Sequence, residues 1–222
     1  MRIPMKRFAL NMTAMLLSAS AFALGTVDLL ESPGAKDVLG KKCIRLGTSE
    51  VLPIDFQTAC RVLERSKLVE AVQEEFVRSV SGNGKADFPI AGTGQGKYHY
   101  INEKGQRTDI TELYRQQTDD YSFDYVVHAS GKRFFGHYDI IIHLQVVDAD
   151  PSGVIYSVII HAYPHNGITR FSARKLAPAK KYFRKKMKLI SYVAREVGLE
   201  LCEKEEFQPD WSGGSHFPAT GR

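Results

Sequence analysis

Apolar positions along this chain first recur at helical spacing, then alternate, then return to helical spacing. Phe56, Ala59, Cys60 and Leu63 share one helical face, whereas Val69, Val72, Phe76 and Val80 share another that lies nearly opposite. One straight helix would have to bury both sides, so the pattern predicts two helices. Pro53-Ile54-Asp55 opens the first with Asp55 as N-cap, a break falls at Arg65-Ser66 with Ser66 capping the second, and Gly82-Asn83-Gly84 stops it. A glycine-rich connector over 82–96 follows. The period then becomes two. Lys97 to Glu103 and Gln106 to Tyr114 predict a hairpin around Lys104-Gly105. Tyr121 to Ala129 places Phe123, Tyr125 and Val127 on one side and Asp124, Val126 and His128 on the other. Gly131-Lys132 predicts a turn, Phe134 to Val147 a long strand bent by a bulge at Gly136, and 148–153 a second turn. Val154 to Tyr163 and Ile168 to Ala173 complete six strands, with a further short strand expected at Cys43 to Leu46. From Ala177 to Glu200 the apolar stripe Phe183, Met187, Ile190, Ala194 and Val197 marks a long amphipathic helix.

These elements predict an α+β fold: an antiparallel meander sheet of about six strands packed against a long C-terminal helix, with two shorter helices before the sheet. The order over roughly 43–200 resembles the helix-grip fold of START-like lipid-transfer domains; cystatin-like and NTF2-like folds, which also pair a helix with a curved meander, are the alternatives. The helix-grip resemblance implies a curved sheet wrapped around the last helix with an apolar cavity between them. It also implies a lipid or other apolar or amphipathic small molecule as ligand; no sequence motif matches, so no residue role carries over, and the expected contacts Phe183, Met187 and Ile190 are read from the apolar stripe of the last helix.

The amino-terminus changes the setting. Arg2, Lys6 and Arg7 precede an uncharged run from Phe8 to Ala23 that ends in Ala21-Phe22-Ala23, the pattern of a cleaved signal peptide over 1–23. The expected product is an exported protein, periplasmic or extracellular, with a loosely ordered leader over 24–42, a single domain over 43–206 and a flexible tail over 207–222. Removing the three basic residues of the signal from the 30 in the chain leaves 27 against 25 acidic ones, so overall charge gives no reason to expect nucleic acid. An oxidising compartment also gives the three cysteines a meaning. The short separation of Cys43 and Cys60 favours a disulfide between them, stabilising by about 3 kcal/mol, with Cys202 left over.

Candidate chemistry is sparse. Ala91 to Lys97 approaches a phosphate-binding loop, but Tyr98 stands where the magnesium-binding Ser or Thr belongs. His137, Asp139 and His143 fall on one strand face, yet His137 and His143 are about 20 Å apart in an extended chain and cannot share an ion. Asp119-Asp120 and Glu74-Glu75 read as solvated pairs. No catalytic residue, metal site or cofactor is assigned. One charge cluster stands out: Arg174, Lys175, Lys180, Lys181, Arg184, Lys185, Lys186 and Lys188 follow one another with no acid between them. Lys181, Arg184, Lys185 and Lys188 on the polar face make a candidate surface for an anionic membrane or an acidic protein, the alternative reading of an envelope-associated interaction module.

Overall fold

A computed structural model describes residues 33–81, 89–166 and 173–207. The predicted export signal, the glycine stop at 82–84 and the tail beyond Phe207 lie outside these residues.

Seven strands form one antiparallel sheet: β1 (Ile44–Leu52), β2 (Ile90–Gly94), β3 (Lys97–Ile101), β4 (Arg107–Asp119), β5 (Ser122–Arg133), β6 (Gly136–Asp148) and β7 (Val154–Pro164). The order across the sheet is β1-β7-β6-β5-β4-β3-β2, a meander from β2 to β7 with β1 added beside β7. Two helices, α2 (Phe56–Glu64) and α3 (Leu68–Ser79), follow β1, and α4 (Ala173–Phe207) is the last described element; α1 (Pro33–Leu39) precedes the sheet. The fold is therefore α+β, an antiparallel meander gripping a long C-terminal helix. Among the described residues no helix is long and apolar enough to cross a membrane.

Alternation sorts the strand residues into two faces. The inner face of β6 and β7 carries Ile140, Ile142, Val158 and Ile160, which join Phe183 of α4 in the main core. The outer face carries Val126, Ile141 and Tyr163, which pack with Ala35 and Val38 of α1 in a second, smaller core. The break between α2 and α3 falls where the opposed apolar faces require it. Asp55 caps α2 by accepting from the Thr58 N–H at 2.7 Å. Ser66 does not cap α3, which begins at Leu68 behind Lys67; instead Arg115 of β4 donates to the Arg65 carbonyl at 3.1 Å and satisfies the turn.

Several expectations shift. Pro33–Leu39 is helical, β1 runs to Leu52, and Ile90–Gly94 adds an edge strand within the predicted connector. The strand expected at 168–173 lies outside the described residues except Ala173, which opens α4. Gly131 and Lys132 stay inside β5; the turn is Phe134-Phe135, closed by Gly136 at φ +103° rather than by a bulge.

The predicted Cys43–Cys60 disulfide is not formed, and all three cysteines are thiols. Cys43, at the start of β1, packs with the α1 core and donates to the Val38 carbonyl at 3.2 Å, whereas Cys60 of α2 is buried in the core on the other face. Nearness in sequence brought them within reach of each other, but the sheet passes between them. Burial and the neighbouring Glu64 and Asp55 carboxylates push the Cys60 thiol up to about 11, far from a reactive thiolate.

Candidate functional site

Between the inner face of the sheet and the helices lies a cavity of about 470 Å³. Its sheet wall is built by alternation alone: Tyr138, Ile140, Ile142, Leu144 and Val146 are successive inward residues of β6. Tyr125, Val127 and Ala129 of β5 and Tyr156, Val158 and Ile160 of β7 extend it on either side. Val62 and Leu63 of α2, Leu68 and Val72 of α3, and Phe183, Ile190 and Val197 of α4 form the opposite wall. Tyr156 fixes the gap between the walls, its hydroxyl lying 2.9 Å from Ser191 Oγ of α4. No Asp or Glu lines the cavity among the described residues.

At one end the apolar wall gives way to hydroxyls around a buried cation. Gly131 of β5 stands between Thr108 of β4 and Tyr138 of β6 in one cross-strand row. Without a side chain there, the Thr108 and Tyr138 hydroxyls meet across it at 3.1 Å. A Cβ on Gly131 would come within 2.9 Å of Thr108 Oγ1 and 3.0 Å of the Tyr138 hydroxyl. Two residues on, Arg133 takes the next inward position and is 6% exposed. Its guanidinium donates to Thr108 Oγ1 at 2.7 Å, to the Tyr182 hydroxyl of α4 at 3.2 Å, to the Lys132 carbonyl at 2.6 Å and to the Tyr100 hydroxyl of β3. The Tyr100 and Tyr138 rings lie 5.3 and 5.7 Å from it. Burial alone would lower the pKa of Arg133, but the tyrosines around it outweigh that and raise it, so the group stays charged. Burial pushes the Tyr182 phenol up to about 12, so it stays protonated. Tyr100, Thr108 and Tyr182 line the cavity themselves, with Arg133 behind them and Lys186 of α4 beside Tyr182.

A second polar group on the inner face is internally balanced. Glu112 of β4 accepts from the Tyr125 hydroxyl at 2.6 Å and lies 3.8 Å from Arg115. Burial, followed by this bond to Glu112, raises the Tyr125 phenol well above its ordinary value.

Of the ligand-contact residues predicted on α4, Phe183 and Ile190 line the cavity. Met187 is buried in the main core and borders a smaller recess with Thr48, Glu50 and Tyr192. Lys181, Arg184, Lys185 and Lys188 are exposed on the far side of α4, and none pairs with a carboxylate among the described residues. Three histidines divide between two carboxylates on the outer face. Asp139 binds His128 at 3.0 Å and also His165, while His143 lies 2.5 Å from Asp124. His137 is exposed apart from both, and no group of His, Cys, Asp or Glu among the described residues could hold a metal ion. The phosphate-loop-like stretch is the β2–β3 hairpin, a strand–turn–strand that offers no helix N-terminus to a phosphate.

The Gly131-Lys132 pair has the composition of a turn, which conceals Arg133. Continuing the alternation Phe123, Tyr125, Val127, Ala129 by two more steps reaches Arg133 and would have placed it inward.

No family model matches the chain, and no curated protein matches it. Solved structures are similar in fold. A Staphylococcus aureus protein of unknown function aligns at 12% identity over 77% of this chain and 99% of that one, with a TM-score of 0.46. The di-domain ARO/CYC protein StfQ from the steffimycin biosynthetic pathway aligns at 8% identity over 74% of this chain and 52% of that one, with a TM-score of 0.46. Ara h 8.0201 aligns at 7% identity over 75% of this chain and 100% of that one, with a TM-score of 0.39.

Proposed function

We propose that the chain is an exported binding protein that holds an apolar or amphipathic small molecule between its sheet and α4. The cavity carries this reading. At about 470 Å³ it falls within the size range of small-molecule sites, roughly 300–1,000 Å³. Left facing water, its largely aliphatic wall forgoes about 25 cal/mol for each Å² that a ligand could bury. Water is a poor filler, because a bound water needs two to four polar partners and most of this wall is Ile, Val and Leu. An apolar guest removes that penalty. Export rests on the charged start and the Ala21-Phe22-Ala23 pattern.

One measurement tests both parts. Native mass spectrometry of the full chain expressed with its leader and gently purified should show a mass lacking residues 1–23 and carrying an apolar adduct that organic solvent removes. Retention of the leader would overturn export. A bare polypeptide that also fails to take up added N-phenyl-1-naphthylamine, a neutral apolar fluorophore, would overturn ligand binding.

A further inference from the structure

The described chain buries three formally charged side chains, Glu75, Asp124 and Arg133. Glu75 meets Arg78 at 2.6 Å and also Lys204, and Asp124 meets His143 at 2.5 Å. Arg133 meets hydroxyls, a carbonyl and two aromatic rings, all of them neutral, and no carboxylate among the described residues pairs with it. A buried charge is strongly disfavoured unless something pairs with it. Here the only one without a counter-charge lies behind the polar end of an otherwise apolar cavity.

The direction of the hydrogen bonds shows what that end can bind. Arg133 is a donor only. The oxygens of Thr108 and Tyr182 therefore accept from it, which turns their O–H hydrogens away from the guanidinium. Tyr182 donates to no acceptor among the described residues, and Thr108 has only Tyr138 as a further partner. Both residues line the cavity, with the cation behind them, the Lys186 side chain also in the wall and no acid among the described lining residues. Such a surface presents donors and positive potential, the complement of an oxyanion.

Resting on the reading of the cavity as a ligand site, we infer that its occupant is a long-chain monocarboxylate, with the alkyl chain along the β6–β7 wall and the carboxylate at Tyr182 and Thr108, backed by Arg133. The shape agrees, with one polar end and an apolar remainder.

The test is displacement of N-phenyl-1-naphthylamine from the full-length protein by palmitate and by hexadecanol, which share a chain and differ in the head group. Palmitate is expected to compete about tenfold better than the alcohol, the scale of one charge-assisted contact. Arg133→Met should abolish that preference, and Arg133→Lys should retain part of it. Tyr182→Phe keeps the ring contacts and reads the same loss if Arg133→Met does not fold. Equal competition by the two ligands in the native protein, or a preference that survives both Arg133→Met and Tyr182→Phe, overturns the inference and leaves the cavity reading standing. Failure of the fluorophore and both competitors to bind would overturn the cavity reading and the inference together.

Discussion

Glu75 and Arg133 are buried to nearly the same degree, 3% and 6% exposed, yet the fold treats them in opposite ways. Glu75 lies on α3 where α4 crosses it, and two cations and the Ser79 hydroxyl converge on its carboxylate. Burial raises its pKa, but the hydrogen bonds from Arg78, Lys204 and Ser79 outweigh burial and hold it at about 2. This charge joins two helices and is satisfied from within. Arg133 is held as firmly, but its neighbours are all neutral. A charge neutralised by its own chain is structural, whereas one left unneutralised beside a cavity awaits a counter-charge from outside.

The largest expected effect comes from breaking the balanced site. Glu75→Gln removes the negative charge and leaves Arg78 and Lys204 facing an amide. Their side chains are 57% and 40% exposed, so both can turn to water, and the loss should stay near 2 kcal/mol rather than the 3–5 expected when a fully buried partner is stranded. The pH dependence identifies the cause. A carboxyl held at about 2 against its ordinary 4.5 contributes fully above pH 4.5 and loses its contribution as pH falls toward 2. Urea denaturation of native and Glu75→Gln proteins should therefore differ most at neutral pH and converge in acid. A difference that is constant across that window would mean that Glu75 acts through packing alone.

Gly131→Ala is expected to have an intermediate effect on the unbalanced site. The added methyl would press on Thr108 Oγ1, the Tyr138 hydroxyl and, at 3.2 Å, the Arg107 carbonyl. Thr108 and the backbone give way less easily than the end of a tyrosine, so thermal unfolding should report a loss of about 1–2 kcal/mol. The selection of palmitate over hexadecanol should weaken with it. A stable variant with unchanged selection would show that the hydroxyl pair plays no part in the site.

The contrast between these sites explains what the sequence could reveal. Alternation is local, so the two sides of β5, the Asp55 cap and the 148–153 turn were legible. The stripe on α4 was legible for the same reason, and it places Phe183 and Ile190 at the cavity. Contacts between distant segments were not. β1 pairs with β7 across the whole meander, and its length follows from that partner rather than from its own pattern. The burial of Glu75 depends on Lys204, far along the chain, so an ordinary acidic pair on a helix concealed it. The β5–β6 turn misled in a different way. Its glycine serves a close approach between hydroxyls, while Phe134 and Phe135 make the turn and pack edge-to-face with each other and with Tyr182.

The smallest expected effect is the most diagnostic. Arg133→Met removes a cation whose desolvation no carboxylate offsets, and it leaves Thr108 and Tyr138 bonded to each other. Replacing a buried charge by an apolar side chain of similar length is often neutral or stabilising. The ligand-free variant should therefore match the native protein or exceed it by up to about 1 kcal/mol in urea denaturation. Palmitate should then stabilise the native protein more than the variant, by up to about 1.4 kcal/mol for a tenfold difference in affinity, because ligand stabilisation follows affinity for the folded state. If Arg133→Met instead lost as much stability without ligand as Glu75→Gln, the guanidinium would be a structural link between sheet and α4, and the distinction between the two buried charges would disappear.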